Sequence, residues 1–207
     1  FYRRDKVRRI AGGLIPAQKK VSLSISEIVL LLLAGAGLAQ YGNFLMTILQ
    51  SFINSTTYQE SMTKITEGKS LLMMIFWMGI VAPAAEEMIF RWLIYLRLRD
   101  WMKLPVAAVI SGLIFGIYHG NMVQGIYASI LGTAFAWILE MSGNIYSSML
   151  LHMGANIWSL VITEYALDLF SMKYGVQILI LIYLILLISV VYCLTHFEKM
   201  CSIRKKK

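Results

Sequence analysis

Six stretches of this chain are apolar for about the length a helix needs to cross a bilayer. They fall at about 26–50, 71–96, 104–119, 123–141, 145–165 and 175–195. Some 20 residues of helix span the hydrocarbon core, and backbone inside lipid must satisfy its hydrogen bonds internally. The expected fold is therefore all-α, a polytopic transmembrane helical bundle of about six spans. The third stretch is short, and the first is expected to bend near Gly35 or Gly42. Composition agrees: 58% of the 207 residues are hydrophobic and 14% charged, with a mean hydropathy of +0.69. A soluble domain carries about a quarter charged residues.

Charge orients the spans. The formal net charge of +8 gathers at the two ends. Arg3, Arg4, Lys6, Arg8, Arg9, Lys19 and Lys20 face only Asp5 near the start, and Lys199, Arg204, Lys205, Lys206 and Lys207 close the chain. RLRDWMK, read as the connection between the second and third spans, sets Arg97, Arg99 and Lys103 against Asp100. NSTTYQESMTKITEGKS, between the first and second, balances Lys64 and Lys69 with Glu60 and Glu67. Six spans put the three basic segments on one side, which the positive-inside rule assigns to the cytoplasm. The expected organisation is a basic cytoplasmic segment at 1–25, a transmembrane domain at 26–195 with its core at 71–165, and a basic cytoplasmic tail at 196–207. Such a protein sits in the cell membrane with both termini cytoplasmic. Bases that flank apolar spans point to anionic lipid headgroups, and no nucleic-acid partner is expected. Cys193 and Cys201 have neither metal nor disulfide spacing. The chain opens on Phe1, and no cleavable signal peptide is expected ahead of the first span.

Against that background a few polar groups stand out. Glu86, Glu87 and Arg91 lie within APAAEEMIFRWLIYLRLRD, His119 ends the third span, and His152 and Asn156 lie in the fifth. An ionisable group near the bilayer centre costs about 2.5–3.5 kcal/mol and usually marks a functional interior. Glu87 and Arg91 are four residues apart and can pair on one helix face, which leaves Glu86 turned about 100° away. His152 and Asn156 repeat that spacing, as do Phe115 and His119. From the rise of a helix, Glu86 and Asn156 come out roughly 16 Å deep, His152 roughly 10 Å and His119 roughly 22 Å. Three of the four fit one intramembrane cavity, and His119 needs a tilted or shifted helix.

The chemistry of the set is hydrolytic. A carboxylate can take a proton from water, a histidine can hold or share it, and histidine and asparagine can donate to an oxyanion. Glu86, His119 and His152 are also reasonable zinc ligands. A glutamate–arginine pair within a span is often a structural clamp, and that reading suits Glu87 and Arg91. His196, beside the basic tail, is read as structural and Glu140 as interfacial. Trp77, Trp92, Trp101 and Trp137 are read as packing or interface anchors.

In order along the chain, EEMIFR (Glu86 to Arg91), FGIYH (Phe115 to His119) and HMGAN (His152 to Asn156) resemble the EExxxR, FxxxH and HxxxN/D motifs of the CAAX protease and bacteriocin-processing family, CPBP or Abi. The resemblance covers roughly 71–165. It implies an intramembrane endopeptidase acting on membrane-associated or lipidated proteins or peptides. Glu86 and His119 would activate water, His152 and Asn156 would stabilise the oxyanion, and Glu87 with Arg91 would hold the first motif in shape. The family is described both as zinc metalloproteases and as metal-free glutamate proteases, and the sequence does not choose between them.

Two other classes compete. A non-catalytic membrane partner or bacteriocin-immunity factor would use the same cavity to bind a peptide; it predicts that Glu86→Gln and His152→Ala leave the cellular phenotype intact. A proton-coupled carrier would use intramembrane Glu and His as relays, but repeated halves with matched broken spans are not seen. No GxSG accompanies His152, and HExxH is absent.

Overall fold

The computed structural model describes residues 2–13, 22–53, 60, 63 and 67–205. Lys19, Lys20, Lys64, Lys206 and Lys207 lie outside the described residues, as does most of the 54–66 connection. The architecture is helical, with no strand among the described residues. A short helix α1 (Tyr2–Ala11) precedes α2 (Ile25–Ile53). Then follow α3 (Leu71–Trp101), α4 (Leu104–Tyr118), α5 (Met122–Ser142), α6 (Ile145–Ser171) and α7 (Gly175–Lys205). Five of these are long and apolar enough to cross a membrane, and α4 is a shorter apolar helix of 15 residues. Large apolar side chains such as Leu72, Ile117 and Ile188 are exposed on the outside, where lipid is the natural solvent.

The helix ends follow from local chemistry. Ser24 and Glu27 form a reciprocal cap on α2: Ser24 N donates to Glu27 Oε2 at 2.8 Å and Glu27 N to Ser24 Oγ at 3.3 Å, satisfying donors that a helix start leaves free. Asn121 caps α5 by accepting from Gln124 N at 2.8 Å, and Gly143, at φ +67°, ends it in the left-handed region that glycine tolerates. The helix α7 continues to Lys205, ten residues beyond the expected end of the last span.

Small residues set the packing. In lipid, helices associate by close contact because no hydrophobic force separates them from the tails. The two glycines named for α2 lie within one continuous helix and let neighbours approach closely. A Cβ at Gly35 would overlap Leu151 O of α6, and one at Gly42 would overlap the Tyr127 ring of α5. Gly112 and Gly116 do the same for α4 against α5, facing Ser129 and Thr133. The core between these helices holds Phe90, Phe115, Phe135, Leu31 and Leu151.

The helix α3 is not uniform. Its α-helical centre, Ala82–Glu87, lies between π-helical stretches at Ile75–Val81 and Met88–Tyr95. Wider turns of this kind are uncommon and often accompany functional sites. The helix runs on through Leu96–Trp101, although residues 97–103 were expected to form the connection to the next span. The charges of this segment are paired. Arg9 binds Asp100 and the Leu96 carbonyl, with Nη1 2.7 Å from Oδ2. Arg97 meets Asp5 at 2.8 Å, and Arg99 meets Glu140 at 2.8 Å.

Candidate active site

The site is assembled from α3, α4, α5 and α6. Glu87 and Arg91 are both fully buried, and Arg91 Nε donates to Glu87 Oε2 at 3.0 Å. Removing one partner of such a pair leaves an uncompensated charge, so each holds the other in place. The guanidinium also donates from Nη1 to Ser111 Oγ at 2.7 Å, and its carbon lies 5.2 Å from the Phe115 ring centre and 5.8 Å from that of Phe135. Gly132 leaves the room for this: a Cβ there would stand 3.2 Å from Arg91 Nη2.

The other oxygen of Glu87 reaches across to α6. Oε1 lies 3.1 Å from His152 Nδ1, and His152 Nε2 lies 3.6 Å from Glu86 Oε2. A carboxylate only accepts, so Nδ1 carries the proton that bonds Glu87 and Nε2 is the nitrogen turned to Glu86. The imidazole stacks on Phe135, with centres 4.5 Å apart at 24°, and meets the edge of Phe115 at 5.5 Å. Glu86 and Glu87 were expected on separate faces, but they take opposite nitrogens of the same imidazole. Glu86 keeps 19% of its side chain exposed, which makes it the open carboxylate of the two.

His119 stands at the end of α4 with Nδ1 2.8 Å from the Phe115 carbonyl. That carbonyl only accepts, so the proton sits on Nδ1 and Nε2 is left as an acceptor. Phe115 packs against both imidazoles, 4.7 Å from His119 and 5.5 Å from His152. Phe115 is therefore the side chain that links the end of α4 to the His152 face of α6. Asn156 is half-buried, one turn beyond His152, and its amide donates to the Met78 carbonyl at 2.9 Å. An amide nitrogen has two hydrogens, and this bond uses one of them.

Three contributors escaped the sequence reading. Ser111 had a signal, because it precedes Phe115 by four and His119 by eight, on one helical stripe. Phe135 and Gly132 had none, since nothing in α5 marks them off from other apolar positions. Elsewhere, His196 Nε2 lies 3.2 Å from Glu27 Oε1 and ties α7 to α2. Glu140 bonds Tyr95 at 2.8 Å as well as Arg99.

A catalytic zinc takes three protein ligands. Glu86 Oε2 and the Nε2 atoms of His152 and His119 are the candidate donors, since a ligating histidine commonly commits its other ring nitrogen to a carboxylate or carbonyl, as both do here. Among the described residues no three His, Cys, Asp or Glu side chains are grouped to hold a metal. As placed, Glu86 and His152 supply two neighbouring donors, with Oε2 and Nε2 3.6 Å apart.

Fold and site together define a polytopic helical membrane protein with a carboxylate–histidine centre inside its apolar bundle. Residues 68–158 match the family model described as "Rce1-like: Type II CAAX prenyl endopeptidase Rce1-like". That segment, somewhat less than half of the chain, contains all three of the motifs at Glu86–Arg91, Phe115–His119 and His152–Asn156. Over 89 residues, 43% of this chain, it is 29% identical to the protein named "Putative membrane peptidase YdiL" from Bacillus subtilis (strain 168). The match covers 36% of that relative, so the chain spans about a third of its length. No solved structure matches.

Proposed function

We propose that this protein is an intramembrane endopeptidase that hydrolyses peptide bonds of membrane-associated or lipidated proteins or peptides, with Glu86 as the group that activates water. The observation that carries the reading is the grip on His152: Glu87 holds Nδ1, and Nε2 faces the open carboxylate of Glu86. The match of residues 68–158 to a family model described as a type II CAAX prenyl endopeptidase supports it.

In this mechanism Glu86 takes a proton from water while the oxygen attacks the scissile carbonyl carbon. His119 offers Nε2 to hold that water. The new carbon–oxygen bond places negative charge on the carbonyl oxygen, which the second amide hydrogen of Asn156 stabilises. The proton passes from Glu86 to His152 Nε2, which donates to the oxyanion and then to the leaving nitrogen as the carbon–nitrogen bond breaks. The products are a carboxylic acid and an amine, which exchange the second proton of the water to leave a carboxylate and an ammonium group. Glu87 and Arg91 touch no reacting atom; they fix the imidazole. Both termini are assigned to the cytoplasm from the basic segments, which reporter fusions at each end would test; a signal from the opposite side of the membrane at either end would reverse it.

The decisive experiment uses purified wild type and Glu86→Gln in lipid nanodiscs with a library of membrane peptides, new N-termini being read by mass spectrometry. Cuts made only by wild type, and surviving a chelator, are expected. Cuts that persist in Glu86→Gln overturn the role of Glu86. Equal silence from two folded proteins would favour the binding partner, and loss with chelator would bring in a metal.

A further inference from the structure

Most in-span hydroxyls here serve their own helix. Ser129, Thr133 and Ser189 each donate to the carbonyl four residues back, at 2.7, 2.9 and 2.8 Å, the usual way a serine or threonine is satisfied in lipid. Ser111 departs from the pattern. Although it is fully buried in α4, its hydroxyl donates across to the Phe90 carbonyl of α3 at 3.0 Å and accepts from Arg91 Nη1 at 2.7 Å. It has left the local acceptor to join two points on the helix that carries both glutamates.

We propose that Ser111 is a positioning residue: anchored on the Phe90 carbonyl, it orients the Arg91 guanidinium, which sets Glu87 on His152 Nδ1 and so turns Nε2 toward Glu86. The relay is continuous in distance, from Ser111 to Arg91 at 2.7 Å, Arg91 to Glu87 at 3.0 Å and Glu87 to His152 at 3.1 Å. Directional bonds are needed at each step because the alternative for the guanidinium is real. Arg91 Nη2 is buried without a hydrogen-bond partner, beside the open side of Gly132. Without Ser111, Nη1 would be orphaned too, and the guanidinium would be left to rotate against Phe115 and Phe135. An unmade bond at a buried donor is costly, so the group would seek Glu87 with both nitrogens and draw Oε1 from the imidazole. His152 would then be free to carry its proton on either nitrogen. The importance of that choice for catalysis rests on the endopeptidase reading; the tautomer itself does not.

The test compares wild type, Ser111→Ala and Ser111→Thr in nanodiscs. His152 is followed by the nitrogen NMR shifts of labelled histidine, assigned by loss of its signals in His152→Gln. Wild type and Ser111→Thr should show the Nδ1-protonated tautomer of His152 alone, and Ser111→Ala a mixture. With a cleavable peptide, Ser111→Ala should lose kcat by about tenfold, the scale of one net hydrogen bond. Its KM should change less than twofold, and Ser111→Thr should regain kcat. A single Nδ1-protonated tautomer in Ser111→Ala overturns the proposal. If Ser111→Ala does not fold, Ser111→Cys, which keeps the volume and weakens the bond, carries the same comparison. Absence of cleavage by wild type would sink the endopeptidase reading while the tautomer still decides the role of Ser111.

Discussion

Asn156 donates a hydrogen bond of 2.9 Å to the carbonyl of Met78, and that carbonyl is available because of Pro83. In the π-helical stretch a backbone N–H bonds five residues back, as Ala82 N does to Trp77 O. The next donor in that register would be residue 83, and proline has none. Asn156 replaces the missing bond from another helix, beside Gly79, where a Cβ would come within 2.8 Å of Ile157. Asn156→Ala should therefore cost about 1 kcal/mol, the net worth of a hydrogen bond to a partly buried acceptor. Pro83→Ala, which restores an N–H, should reduce that cost. A double-mutant cycle on unfolding in detergent measures the coupling; strict additivity would reject the compensation.

Arg91 bears on stability more than on chemistry. Arg91→Met leaves Glu87 charged and fully buried, and should cost about 3–5 kcal/mol. Arg91→Lys keeps the charge but cannot supply the planar fork that reaches Glu87 and Ser111 together. It should fall between wild type and Arg91→Met in thermal unfolding. Equal stability of Lys and Arg would mean that the fork is unimportant.

Gly132 makes a different test of the same packing. A Cβ there would stand 3.0 Å from Phe115, 3.1 Å from Gly112 Cα and 3.2 Å from Arg91 Nη2. Gly132→Ala should destabilise by about 1–3 kcal/mol through overpacking and should lower cleavage as well, because the ring and guanidinium it pushes both contact the site. A variant that unfolds at the wild-type temperature would show that α5 has slack at this point.

What the sequence disclosed depended on whether partners were near in the chain. The Glu87–Arg91 pair was legible because a helix puts residues four apart on one face, and the shortness of α4 because apolar length can be counted. The placement of Glu87 and Glu86 at the two nitrogens of His152 was not. Helical angles alone turn Glu86 away, and nothing in a linear pattern announces π-helical turns on both sides of Ala82–Glu87. The extension of α3 to Trp101 was hidden for a similar reason. Arg97, Arg99 and Asp100 looked like loop charges because their partners, Asp5, Glu140 and Arg9, lie 41 to 92 residues away.

Those distant partners give the last prediction its basis. Asp5 of α1 accepts from Trp92 Nε1 at 2.9 Å and from Arg97 at 2.8 Å. Partial burial raises its carboxyl, but the bonds from Arg97 and Trp92 and the charges of Arg97 and Arg9 outweigh it and hold the group below the ordinary aspartate value. A carboxyl depressed in the folded state stabilises that state above its unfolded value, near pH 4, and the contribution is lost as pH falls through the folded value. Acidification below about pH 4 should thus release the α1 contact on α3. Trp92 is buried, so its fluorescence should shift as the carboxylate is protonated, with Trp92→Phe identifying the signal. Asp5→Asn should show the released spectrum at neutral pH and little further change in acid. An unchanged acid transition in Asp5→Asn would assign the titration to another group and leave α1 held by Arg9 and Asp100.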